Sequence, residues 1–295
     1  QSPEDDIRQF RDGIGTNGLN YGAAYYPWLN TTVVQPAEIN FTNLDATVNL
    51  AELLPEPTAK KIAADIKNIN LSDDTKKLQL HQSLIASSAV YKIIMEEIGA
   101  TLNLLPPAAA IAGIYTLVDT SRGVWKAPAN VSVNAVNEPA VNISNEQQQD
   151  MNVDVIAGKS INIIRPFPGV GTLVWGARTL DGNSQDWKYI NVRRTLIMIE
   201  QSLKLAARAF VFEPNNSATW ITMQSMMNNF LTNLWKQGAL AGAVPEQAYS
   251  VDIGLGVTMT ANDILDGILR ITVKVAIVRP AEFIVITFQQ QQQQS

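Results

Sequence analysis

The chain has 295 residues, 46% of them hydrophobic and 17% charged, with a formal net charge of −5. That length suffices for one large domain or two with a sizeable core, and the negative balance excludes a general basic footprint for nucleic acid. Cysteine is absent, which excludes disulfides and thiolate metal sites, and no apolar run reaches the roughly 18 residues of a membrane-spanning helix.

The opening QSPEDDIRQF is acidic and polar, unlike a secretory signal, and has no initiator Met. The expectation is a chain that begins inside a longer gene product. YGAAYYPW (21–28) is an apolar, aromatic run stopped by Pro27, and reads as a buried strand reaching the rim of a sheet. Residues 31–57 are broken by Pro36, Pro55 and Pro57. From 76 to 105, Leu80, Leu84, Val90, Ile94 and Ile98 recur at three- and four-residue steps, which predicts one long helix. PPAAAIAGIYTLVDT (106–120), with prolines first and an Ala-rich body, predicts a second, tightly packed helix.

GVWKAPAN (123–130) suits neither helix nor strand, since glycine and proline stand five residues apart around Trp125 and Lys126. INIIRPF (161–167) and GTLVWGART (171–179) flank a Pro-Gly turn and predict a hairpin. A helix over 191–212 turns Leu196, Ile199, Leu203, Ala206 and Phe210 to one face and stops at Pro214. Ser217 is a candidate cap for the next helix, whose stripe is Trp220, Met223, Met227, Leu231 and Leu234, ending near Gly238. Thr260 and Asp263 form a capping pair. Leu269, Ile271, Val273, Val275 and Ile277 alternate with polar residues as a strand does. A last strand, EFIVITF (282–288), runs into a glutamine tract that reads as a polar tail.

Catalytic chemistry finds little support. His81 is the one histidine, in a helical stretch with no nucleophile at motif spacing. No G-x-S-x-G elbow is present. The glycines of PFPGVGTLVWG lack phosphate-loop spacing, so they serve turns. Acidic pairs at 5–6 and 73–74 read as solvated faces or helix starts. The dispersed tryptophans read as packing anchors rather than a carbohydrate cleft.

Several motifs together resemble contractile tail sheath proteins, which form the sheaths of phage tails, R-type pyocins and phage-tail-like injection particles. They are YGAAYYPWL (21–29), LPPAAAIAGIY (105–115), RGVWKAPANV (122–131), INIIRPFPGVGTLVWGARTL (161–180), WKYINVRRTLIMIEQSL (187–203), FVFEPNN (210–216), LWKQGALAG (234–242) and PAEFIVITF (280–288). Their order and spacing are those of the family across nearly the whole chain, and most resemble sheaths of extracellular injection systems. A further N-terminal part of the family is not in this sequence.

The resemblance implies an α/β fold in three parts. Residues 1–130 would be the C-terminal portion of a subtilisin-like domain without catalytic residues. Residues 131–281 would be an α+β sheath C-terminal domain, and 282–295 a strand arm with its Gln tail. It implies a structural subunit with no cofactor, no metal and no enzyme activity, which polymerises helically around an inner tube protein and contracts to drive that tube through a target envelope. Partners would be copies of itself through strand exchange, baseplate and terminal cap proteins or sheath paralogues, with no nucleic acid and no membrane insertion. Assembly would occur in a bacterial cytoplasm, in a phage tail or a particle released outside the cell. A subtilisin-like hydrolase and a non-contractile shell protein stand as alternatives.

Three sets of residues carry the expected contacts. Arg122, Trp125, Lys126 and Pro128 would form an interdomain connector, with Trp125 as anchor, Pro128 as stiffener and Lys126 in an ion pair, or else a packed turn with no partner. Asn262, Asp263 and Asp266 mark a candidate tube-contact helix, or a plain surface helix. Phe283, Ile284, Val285, Ile286 and Phe288 would form an intersubunit strand, apolar on both faces, or close their own domain's sheet beside residues 269–278.

Overall fold

The structure is a computed structural model that describes residues 2–45, 47–66 and 73–285. Helix α1 (Pro3–Gly13) is capped by Ser2, whose hydroxyl accepts from the Asp5 amide. Strands β1 (Ala24–Tyr26) and β2 (Leu29–Thr31) follow, then helices α2 (Leu50–Leu53), α3 (Pro57–Asp65), α4 (Asp74–Ser87) and α5 (Ala89–Asn103). Strand β3 (Leu104–Leu105) leads into α6 (Ala108–Arg122). Strands β4 (Val131–Ser132) and β5 (Val136–Pro139) precede α7 (Asn145–Asn152) and the hairpin of β6 (Ile161–Phe167) and β7 (Gly171–Trp175). The chain continues through α8 (Ile190–Ala207), α9 (Ser217–Lys236), α10 (Pro245–Ala248), β8 (Tyr249–Ile253), α11 (Ala261–Leu265) and β9 (Ile271–Val275).

A four-stranded sheet runs in the order β1-β6-β7-β4, with β1 parallel to β6 and the other pairs antiparallel. Its central strand β6 is apolar on both faces. Ile161 and Ile163 pack with Ile7, Ile143 and Met151 on one side. Ile164 packs with Leu29, Ile111, Ile114 and Val118 on the other. The period of two along a strand puts neighbouring residues on opposite faces, so a strand covered on both sides is mainly apolar, and the one fully buried polar residue of β6, Asn162, has its amide bonded to the backbone of Ala24 and Arg178. A three-stranded antiparallel sheet, β3-β2-β5, adjoins it. Helices α3 to α5 gather around Leu54, Leu84 and Tyr91. In the C-terminal part, the Met223, Met227, Leu231 and Leu234 stripe of α9 packs with Ile199 and the β8–β9 hairpin, whose Ile271, Val273 and Val275 all turn inward.

The structure corrects two expectations, the single long helix and the cap at Ser217. The long helix over 76–105 is two helices broken at Ser88. Ser88 is 2% exposed and extended, at φ −144° and ψ 118°. Its hydroxyl accepts from the Tyr91 amide and donates to Glu56 Oε2 at 2.7 Å. A buried hydrogen bond to another helix outweighs the gain from continuing one turn. The segment also ends as strand, because Leu105 pairs with Leu29. Ser217 is the first residue of α9 rather than its cap; Asn216 Oδ1 accepts from the Ala218 and Thr219 amides. Residues 24–26 are hydrogen-bonded to 161–163, and 29–31 to 136–139, so backbone ladders join segments on either side of residue 130. Finally, Glu282–Val285 join no strand of their own chain among the described residues. Ile286, Phe288 and the Gln tail lie outside the described residues.

Candidate functional site: the anchored C-terminal arm

After β9 the chain stays attached for several residues more. The Ala276 amide donates to Ala248 O, the Ala241 amide to Ala276 O, and the Val278 amide to Ala239 O. Asn191, buried in the first turn of α8, donates through Nδ2 to Val278 O at 3.1 Å and to Trp125 O at 2.9 Å. One side chain thus joins the connector loop to the run that leads into the arm.

Glu282 is the last firm point. Arg178 grips its carboxylate with two prongs, Nε to Oε1 at 2.9 Å and Nη2 to Oε2 at 2.7 Å. Asn152 Nδ2 donates to Oε1 at 2.8 Å and Tyr189 Oη to Oε2 at 3.2 Å. Arg178 is itself oriented, because its backbone amide and carbonyl bond the buried Asn162 on β6. Burial pushes the Glu282 carboxyl up, but hydrogen bonds from Arg178 and Asn152 outweigh it and hold the group below its ordinary 4.5. Immediately beyond, the side chains turn to solvent: Phe283, Ile284 and Val285 are 69%, 80% and 89% exposed. An apolar run presented this way is a surface that calls for a partner.

The connector loop is built on Gly123. That residue ends α6 at φ +90°, and a Cβ there would lie 2.4 Å from the Trp125 ring, so the indole folds directly over the glycine. Trp125 packs against the Ile199 and Met223 cluster. Pro128 is buried, while Arg122 is exposed. Lys126 forms no ion pair among the described residues. The ion pair stands one turn earlier: Arg194 of α8 reaches Asp119 of α6 with two hydrogen bonds of 2.8 and 2.6 Å.

On α11, Asp263 is occupied within its own chain. Its Oδ2 accepts from the Thr260 amide at 2.8 Å and from the Thr260 hydroxyl, and its Oδ1 pairs with Arg270 at 3.0 Å. The Thr260 amide and hydroxyl, then Arg270, lower its pKa to about 2. Asn262 and Asp266 face solvent beside the exposed Leu265 and Val257. His81 lies 2.9 Å from the Tyr91 hydroxyl through Nδ1, and no cluster of metal-ligating residues occurs among the described residues.

The partners of Glu282 carry no signal in the sequence. Arg178, Asn152 and Tyr189 stand 104, 130 and 93 residues from Glu282, and no local pattern marks them.

Residues 183–291 match the phage tail sheath C-terminal domain. The class of protein this chain resembles is therefore the tail sheath protein. Within that class the similarity is strong to sheaths of extracellular contractile injection systems. The chain is 48% identical to the contracted helical sheath of the anti-feeding prophage, covering 63% of this chain and 51% of that one with a TM-score of 0.59. It is 46% identical to the PVC sheath complex, a contracted extracellular contractile injection system, covering 63% and 51% with a TM-score of 0.60. It is 26% identical to the tail sheath protein of Burkholderia phage BcepMu, over 72% of this chain and 43% of that protein. The chain spans about half the length of these relatives, or less.

Proposed function

We propose that this chain is the structural subunit of a contractile sheath in a phage-tail-like injection particle. Copies stack helically around an inner tube, meet a baseplate at one end and a terminal cap at the other, and contract to drive the tube through a target envelope. The observation that carries this reading is the arm: a terminal segment held firmly as far as Glu282 and continuing as an exposed apolar run. Subunits that slide past one another while staying joined need a link whose strength does not depend on the surfaces that rearrange. A strand added to a neighbour's sheet provides it, since backbone hydrogen bonds persist through side-chain repacking. Head-to-tail contacts of this kind do not close, so they propagate into a helix.

The finer reading follows from the same frame. Residues 1–130 belong to a subtilisin-like, non-catalytic α/β domain and residues 131–281 to the sheath C-terminal domain; the parallel pairing of β1 with β6 and the helices on both faces of that sheet support an α/β reading. The loop 122–128 fixes that domain against the C-terminal unit. Helix α11, with Asp266 and Leu265 turned outward, faces the inner tube. Contraction draws on better packing between subunits rather than on nucleotide hydrolysis, and the particle assembles in the cytoplasm before release. The deciding experiment is deletion from Phe283 onward. The expected product is a folded, soluble monomer that forms no tubes in negative-stain images, where the parent chain forms long and short tubes of different diameter. A truncated chain that still forms normal tubes overturns the arm as tether.

A further inference from the structure

The two ends of α8 carry complementary features that their own chain does not use. Past its C-terminal end, the turn Phe210–Glu213 is closed by the Glu213 amide donating to Phe210 O at 3.2 Å. Phe210 turns inward onto the C-terminal core. Phe212 is turned fully outward and held in the left-handed region at φ +71°, a conformation that a bulky residue adopts only at a cost in energy. At that exposure the Phe212 ring buries nothing against the described residues that would offset the cost. The turn is not loose: Pro214 follows it, and Asn215 is bonded to the Trp220 indole at 2.7 Å and to Ile268 O at 3.1 Å. The result is a braced knob bearing Val211, Phe212 and Glu213, all exposed.

Near the start of α8 lies a cleft of about 540 Å³ between α8, α6 and residues 20–28. Its walls include Tyr21, Trp28, Pro106, Pro107 and Tyr115. Arg193 lines it, 8% exposed, with its guanidinium over the rings of Tyr21 at 3.9 Å and Trp187 at 4.6 Å. Among the described residues no carboxylate or carbonyl accepts from this guanidinium, and its Nε is buried without a hydrogen-bond partner. Its neighbour Arg194, by contrast, is fully paired with Asp119. A buried cation held between aromatic rings and lacking an acceptor is costly to leave so, and the cleft offers room for the acceptor to come from outside.

We propose that the knob of one copy seats in the cleft of the next, with Phe212 among Tyr21, Trp28 and Pro107 and the Glu213 carboxylate accepting from Arg193. The match is one of both shape and charge: an aromatic beside a carboxylate meets an aromatic wall beside an unpaired guanidinium. Knob and cleft are separated by about 25 Å of helix, at 1.5 Å per residue. They cannot meet within one chain, and the contact is heterologous, propagating from copy to copy. The inference rests on the reading of this chain as a self-assembling subunit, and adds to the arm a second contact made by side chains.

The test uses the full chain and follows assembly by sedimentation velocity and electron microscopy. Phe212→Gly, which suits a left-handed position, and Glu213→Arg, on an exposed turn, should each weaken association about tenfold or more, while the melting temperature of Phe212→Gly stays level or rises. Arg193→Glu should do the same, and the double variant Arg193→Glu/Glu213→Arg should restore assembly. A parent chain that polymerises while Phe212→Gly and Glu213→Arg polymerise equally well overturns the contact alone. A double variant that folds and does not recover overturns the ion pair. If Arg193→Glu does not fold, the two turn variants decide. A parent chain that stays monomeric overturns the assembly reading and this contact with it.

Discussion

Arg178 and Glu282 meet in a two-pronged ion pair with contacts of 2.9 and 2.7 Å across 104 residues of sequence, and the next three side chains are exposed. Because the Glu282 side chain is only 17% exposed, removing Arg178 strands a largely buried carboxylate. Arg178→Met should destabilise the fold by about 3 kcal/mol and free the arm root, seen as faster proteolysis after residue 279. Unchanged cleavage and melting temperature would count against the anchor.

The same pair sets a pH dependence. The Glu282 carboxyl is lower in the folded chain than its ordinary 4.5, so the unfolded chain binds the proton more readily. The stabilisation is complete above about pH 4.5 and fades as pH falls through the folded value. Acid should therefore loosen the arm, and Glu282→Gln should remove that component of the acid transition in a denaturation series from pH 7 to pH 3.

His81 gives a second acid response of the same sign. Burial pushes its pKa below the ordinary 6.5, so protonation favours the unfolded chain. Stability should be level above about pH 6.5 and decline below it. His81→Gln should flatten the slope between pH 6.5 and pH 5 while leaving assembly intact at neutral pH. A His81 variant that folds but loses assembly would point to a role the structure does not assign.

Gly123→Ala tests the connector. The substitution combines an unfavourable positive φ with a methyl group 2.4 Å from the Trp125 ring, and should cost about 2–3 kcal/mol. Combining it with Trp125→Ala should relieve the steric part, so the two effects will be less than additive in a double-mutant cycle. Strict additivity would mean the ring does not rest on the glycine.

On α11 the two acids should separate. Asp263→Lys destroys the cap and the Arg270 pair and should lower the melting temperature. Asp266→Lys should leave it unchanged and weaken co-assembly with the inner tube more at low salt than at high salt, because exposed charges are screened. Tube binding that ignores Asp266 at every salt concentration removes α11 from that interface.

Periodic features were legible in the sequence. The α9 stripe, the alternation of β9, the 161–175 hairpin and the Thr260–Asp263 cap each follow from spacing that a few neighbouring residues impose. What stayed hidden depends on partners far away in sequence. Nothing around Ser88 announces that Glu56 will take its hydroxyl. Nothing near residue 130 shows that strands on either side of it share two sheets. The apolar run after Glu282 could be read from its composition, while the cradle of Asn152, Arg178 and Tyr189 that holds Glu282 assembles only when the chain is folded.

The fastening of β9 has a mechanical meaning. A pull on Phe283 reaches the Glu282 clamp first, then the bonds of residues 276–278, and only then β9. Its ladder to β8, from Tyr249–Val275 to Ile253–Ile271, lies crosswise to the direction of that pull. Force along the strand is shared by all the cross-links at once instead of peeling them one by one. The hairpin works as a lap joint, strong in shear, at the place where one subunit would hold another.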